Sequence, residues 1–183
     1  KEKTNNMVYL ISGLGADHRV FQRIDFGNKA IKHIPWHTPI YEQSISTYAQ
    51  EIIDKHIDLE KKIQLVGLSF GGLIAQEIAN LISVDQVILI SSMRTRKELP
   101  FKFKAMSKMP FYDSLMNPNK GIELGVKFRK KQFAIKTEEA NDLAKTILEE
   151  TEPAFLKWAI KKIIHWESPN PTNQYIQISG STD

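Results

Sequence analysis

Gln64–Leu73 reads QLVGLSFGGL: an apolar run, a serine set between glycines, and the start of a second apolar run. The pattern G-x-S-x-G spans Gly67, Ser69 and Gly71. A serine that acts as a nucleophile needs a sharp strand-to-helix turn, because there its hydroxyl stands clear of the sheet. Strained angles and close neighbours at such a turn leave room only for glycine at Gly67 and Gly71. The plainer reading is a corner whose glycines serve packing alone. With nine glycines in 183 residues, the pattern arises by chance in roughly a few per cent of such chains. Its surroundings therefore decide.

Those surroundings alternate. Five short apolar runs read as strands: MVYLIS (7–12), AIKHI (30–34), IQLVGL (63–68), QVILIS (86–91) and YIQIS (175–179). Several are continuously apolar, as strands covered on both faces of a parallel sheet are. Between them, SISTYAQEIIDKHI puts Ile45, Tyr48, Ala49, Ile52 and Ile53 on one helical stripe, with serines placed to cap it. GGLIAQEIANLI follows the third run directly and is apolar on most sides. Strand, helix, strand in this order predicts an α/β fold with a mostly parallel sheet flanked by helices. The serine motif thus sits where a strand hands over to a helix.

The rhythm breaks after residue 92. Residues 97–168 read as all-helical, interrupted by turns such as MNPNKG. TEEANDLAKTILEE sets Ala140, Leu143, Ala144, Ile147 and Leu148 on one face, with acids in its first turn. A further helix is expected from Pro153, carrying Phe155, Trp158, Ala159 and Ile163. Most of the excess Lys and Arg lies here. The simplest organisation is a core of residues 1–96 and 169–183 with a helical cap inserted at 97–168.

LISGLGADHRVF supplies a second element of chemistry. An apolar strand ends in Ser12-Gly13-Leu14-Gly15, and a helix is expected from an N-cap at Asp17. Acyl transfer needs two backbone N–H groups aimed at the developing oxyanion. Phe70, just after the serine, is one candidate donor and Leu14 the other. Dinucleotide binding is a rival, but GLGADH lacks the third glycine of G-x-G-x-x-G, and no acid closes the next strand.

With these residues in order, the chain resembles the α/β-hydrolase superfamily over residues 7–183. SGLGA resembles its oxyanion loop, often His-Gly in relatives; GLSFGG resembles its nucleophile elbow; the 97–168 insertion stands where its cap stands. QISGSTD is similar to its strand followed by G-x-x-D, which implies Asp183 as the acid of a Ser-His-Asp triad. Glu98, shortly after the fourth strand, is the fallback for that role.

The resemblance implies an ester or related acyl hydrolase: Ser69 as nucleophile, Leu14 and Phe70 as oxyanion donors, Gly13, Gly15 and His18 bordering the substrate. It implies no metal and no organic cofactor. The base is the gap. In this family the histidine follows the acid, and none of His18, His33, His37, His56 and His165 occupies that position. His37 belongs to a PWHTP loop that borders the pocket, while His165 is expected to pack beneath the cap beside Trp166. The expectation is that the sequence is incomplete, its histidine following Asp183. An acyl-thioesterase and a catalytically silent fold used for binding are the alternatives.

Composition narrows the classes further. A 42% hydrophobic and 25% charged chain is ordinary for a globular protein, and no cysteine is present for a disulfide or thiolate chemistry. The net charge of +4 is spread among acids without interleaved aromatics, so no nucleic-acid partner is expected. No apolar run is long enough to span a membrane and no signal peptide is evident, which favours the cytoplasm. The expected partner is a small-molecule acyl substrate.

Overall fold

A computed structural model describes residues 6–99, 101–106, 142, 146, 149–168 and 175–180. Five parallel strands form one sheet in the order β2-β1-β3-β4-β5. They are β1 (Asn6–Ile11), β2 (Ala30–Ile34), β3 (Lys62–Leu68), β4 (Gln86–Ile90) and β5 (Tyr175–Ile178). Two long helices, α1 (Ile45–His56) and α2 (Phe70–Leu81), connect them, and α3 (Phe101–Met106) and α4 (Pro153–His165) lie between β4 and β5. This is the parallel α/β sheet the sequence predicts.

Alternation along the strands divides the sheet into two faces. Tyr9, Ile11, Leu65, Val87 and Leu89 point into the main core with Ile52, Ile74 and Ile78 of the two helices. Val8, Leu10 and Val66 point the other way and pack with Phe21. Not every strand is covered twice, however. β1 is buried on both faces, whereas β2 and β5 are mostly exposed because they form the sheet edges. Lys32 and His33 interrupt the apolar run of β2 and Gln177 that of β5, and Ile31, Ile176 and Ile178 remain exposed.

Local chemistry sets the helix ends. Ser44 caps α1 by accepting from the Thr47 N–H at 2.9 Å. Pro153 opens α4, where its missing N–H costs nothing. The helix expected after Asp17 is a single 3-10 turn, His18–Phe21; Asp17 does cap it, and grips Arg19 as well. Phe155, Trp158 and Ala159 of α4 are buried in the main core and Ile163 packs partly exposed against it, while Ile164 is fully buried. His165 is exposed, contrary to its expected packing, while Trp166 beside it turns inward. The turn at 116–121 lies outside the described residues, as do Ala140, Leu143, Ala144, Ile147 and Leu148 of the expected helix face; residues 142 and 146 between them are helical.

Candidate active site

β1 and β3 are neighbours, yet the chain leaves β1 towards β2 and β3 towards β4. Where strand order reverses in this way, a crevice opens beyond the carboxyl ends of the two strands. Ile11 pairs with Gly67, so the loop at Ser12–Gly15 and the turn at Ser69 emerge side by side.

Ser69 occupies φ 51°, ψ −116°, a conformation that L residues rarely adopt. Three hydrogen bonds hold it there. Its N–H donates to the Ile90 carbonyl at 2.9 Å, and its own carbonyl accepts from the Gly72 N–H at 2.9 Å and from Ser92 Oγ at 2.7 Å. The Ser69 hydroxyl makes no capping bond to α2, although serine at a helix start commonly does. The turn therefore displays the hydroxyl instead of using it.

Glycine is required around this turn by contact. A Cβ on Gly67 would lie 2.5 Å from the Gly71 carbonyl oxygen, and one on Gly71 would collide with the Ile11 and Ser12 carbonyls. A Cβ on Gly13 would sit 3.4 Å from Ser69 Cβ, so the first loop lies directly against the serine. That loop is pinned. Ser12 Oγ donates to the Ala16 carbonyl at 2.7 Å, the Ala16 N–H donates to the Gly13 carbonyl at 3.1 Å, and Gly15 takes φ 57°. The sequence-derived group of Gly13, Leu14, Gly15, Ser69 and Phe70 is thus brought together.

Other expected residues fall elsewhere. Asp183 lies outside the described residues. Glu98 is committed to capping: its carboxylate accepts from the Arg94 N–H at 3.1 Å, the Thr95 N–H at 3.2 Å and the Gln177 amide at 3.0 Å. Burial works to raise its pKa, but these donors outweigh it and hold the carboxyl below its ordinary value.

Among the described residues no histidine hydrogen-bonds Ser69. His18 is exposed and meets His33 edge-on at 5.7 Å. Burial, then the neighbouring His18, pushes the His33 imidazole below its ordinary value. His37 stacks on Tyr48 and its Nε2 lies 2.8 Å from Glu51, whose carboxyl that bond holds low. Among the described residues no cluster of three or more His, Asp or Glu could hold a metal ion.

A cleft of about 490 Å³ adjoins the first loop, with Ser12, Ala16, His33, Trp36, His37 and Phe155 among its walls. Ser69 does not line it; the link runs through Trp36 and Phe155, whose rings both pack against Phe70 at 5.5 and 6.2 Å. Trp36 and Ser92 are the two site residues that sequence reasoning passes over. The signal for Trp36 was faint: a tryptophan between a proline and a histidine in a strand-to-helix loop. Ser92 gave none.

No protein-family model matches the chain, and no curated protein matches its sequence. Solved structures do match. MenH from S. aureus superposes with a TM-score of 0.64 at 18% identity, over 98% of this chain and 88% of that one. The esterase EaEST from Exiguobacterium antarcticum gives 0.70 at 17% identity, over 97% and 74%. A protein named 1H-3-hydroxy-4-oxoquinoline 2,4-dioxygenase gives 0.65 at 15%, over 96% and 73%. The chain has the α/β-hydrolase fold.

Proposed function

We propose that the protein is a serine hydrolase cleaving a carboxylic ester or a related acyl bond through an acyl-enzyme. The observation that carries this reading is Ser69 itself. It is held in a rare backbone conformation by three hydrogen bonds, with its hydroxyl unused by its own helix. Such strain costs of order 1–3 kcal/mol and persists where function needs it. An esterase among the structures of like fold agrees with the reading.

In the proposed reaction Ser69 Oγ adds to the substrate carbonyl carbon while its proton passes to a histidine. Asp183 is the residue proposed to fix that histidine's tautomer. The N–H groups of Leu14 and Phe70 donate to the oxyanion, helped by the positive end of α2. Collapse of the tetrahedral adduct breaks the ester C–O bond, and the alcohol leaves with the proton from the histidinium. Water then adds to the acyl-Ser69 carbonyl, releasing the carboxylic acid and restoring the serine. Gly13, Gly15 and His18 border the substrate, and residues 97–168 form the cap over it. No metal or organic cofactor takes part.

Ser69→Ala tests the assignment on nitrophenyl esters. It should lower kcat/KM by at least about a thousandfold, since loss of a triad nucleophile leaves little beyond oxyanion and binding effects. The melting temperature should not fall. Undiminished turnover in that variant would remove Ser69 from the mechanism. A parallel series of CoA thioesters separates an esterase from an acyl-thioesterase by which kcat/KM is larger.

A catalytically silent, ligand-binding version of the fold is the second reading. It draws on one observation, that no histidine among the described residues bonds Ser69. It predicts an inert serine in the full-length protein.

A further inference from the structure

Trp36 touches both halves of the proposed oxyanion site. It comes from the β2–α1 loop, and its indole Nε1–H donates to the Gly13 carbonyl at 3.3 Å. Gly13 C=O and Leu14 N–H belong to one planar trans peptide, so they point in opposite directions. Anchoring the carbonyl on Trp36 therefore turns the Leu14 N–H away from the indole. The same carbonyl accepts from the Ala16 N–H, so two donors fix the plane of that peptide. Meanwhile the indole ring packs on Phe70, the residue whose N–H is the other donor, at 5.5 Å between centroids.

The indole is itself braced. Phe155 lies 5.0 Å from its centroid and Tyr48 6.3 Å. Tyr48 is fully buried, and its hydroxyl takes both ends of the next residue: it accepts from the His37 N–H at 3.1 Å and donates to the His37 carbonyl at 2.8 Å. Burial pushes the Tyr48 phenol well above its ordinary pKa, so that donor persists throughout the working pH range. The His37 ring also stacks on the Tyr48 ring at 4.3 Å. A buried tyrosine thus locks the loop, and the loop places the tryptophan.

We propose that Trp36 is a positioning residue for the oxyanion donors, orienting the Gly13–Leu14 peptide through its indole N–H and supporting Phe70 with its ring. This rests on the acyl-transfer reading of Ser69. A tryptophan serving packing alone would need its N–H satisfied, but by any acceptor. Here the acceptor is the one carbonyl whose direction sets the Leu14 N–H.

The test compares full-length wild type with Trp36→Phe, which keeps an aromatic ring and loses the N–H. Three readouts are taken: nitrophenyl-ester kinetics, affinity for a trifluoromethyl ketone that forms a tetrahedral adduct, and fluorophosphonate labelling. Removing an oxyanion donor outright costs 10²–10³ in kcat, so misaiming one should cost about tenfold. KM should stay within about twofold, and ketone affinity should fall in step with kcat. Unchanged kcat in a wild-type background that labels normally would overturn the role of Trp36 alone. So would a fall in kcat without any loss of ketone affinity, since that would mark a purely structural effect. A wild type that neither labels nor turns over would instead overturn the acyl-transfer reading, and the role of Trp36 with it. Should Trp36→Phe fail to fold, benzothienylalanine at position 36 keeps the bicycle and deletes only the N–H, and the same outcomes apply.

Discussion

Ser69 pays for its display with an unfavourable backbone. Of the described non-glycine residues, only Glu42, Ser69 and Ser91 have positive φ, and Ser69 combines it with ψ −116°. Glycine adopts that region freely, whereas a Cβ does not. Ser69→Gly should therefore unfold later than Ser69→Ala, by about 1 kcal/mol once the greater entropy of unfolded glycine is set against the relieved strain. Both variants should be inactive. Chemical denaturation of the pair checks this, and equal stabilities would mean that the turn is unstrained. At this scale the sequence was informative because a small motif with a steric cause marks the residue. It was silent on Ser92 and nearly so on Trp36, since their roles depend on hydrogen bonds across 23 positions of sequence in each case.

Between elements, the junction of β1, β3 and α2 depends on missing side chains. Gly71 brings α2 onto the Ile11 and Ser12 carbonyls, where backbone cannot give way. Gly71→Ala should thus cost about 3 kcal/mol, at the upper end of overpacking effects, and should also draw the first loop away from Ser69. Gly27→Ala is the contrast. Its φ is +60° with nothing within 4 Å, so only the backbone penalty of about 1 kcal/mol applies. Paired melting curves and esterase assays distinguish the two; equal costs would contradict the packing argument. Helix starts were readable here, because Ser44 and Pro153 act within one turn of chain. The span after Asp17 was not, since a 3-10 turn and an α-helix share the same cap. Edge and central strands were not separated, because an apolar run marks a strand without fixing its place in the sheet; among the described residues β2 and β5 end the sheet.

Across the whole molecule, one buried acid ties the sheet-facing helix to the far end of α4. Glu77 is 6% exposed and accepts from the Trp166 indole at 2.8 Å. Burial raises its pKa above the ordinary 4.5, against the smaller opposing effect of that hydrogen bond. The folded state then holds a proton more tightly than the unfolded one. Stability is accordingly greatest below pH 4.5 on this account and falls as pH rises through the raised value. Glu77→Gln keeps an acceptor for Trp166 and cannot ionise. Its melting temperature should exceed that of wild type at pH 7, with the gap closing towards pH 4; a gap independent of pH would contradict this. The five strands and the mostly parallel sheet were legible in the alternation of apolar runs; the strand order, and with it the crevice between β1 and β3, was not, because pairing is set by contacts distant in sequence. Asp183, the acid the sequence suggests, lies outside the described residues, and no local pattern marked a histidine as its partner.

The central claim is that Ser69 is a nucleophile, and covalent capture tests it most directly. Full-length protein is treated with a fluorophosphonate, and its intact mass and peptide map are compared before and after. The account predicts one adduct per chain, mapped to the peptide containing Ser69 and absent from Ser69→Ala. No adduct on a folded wild type, or an adduct on another residue, would contradict it.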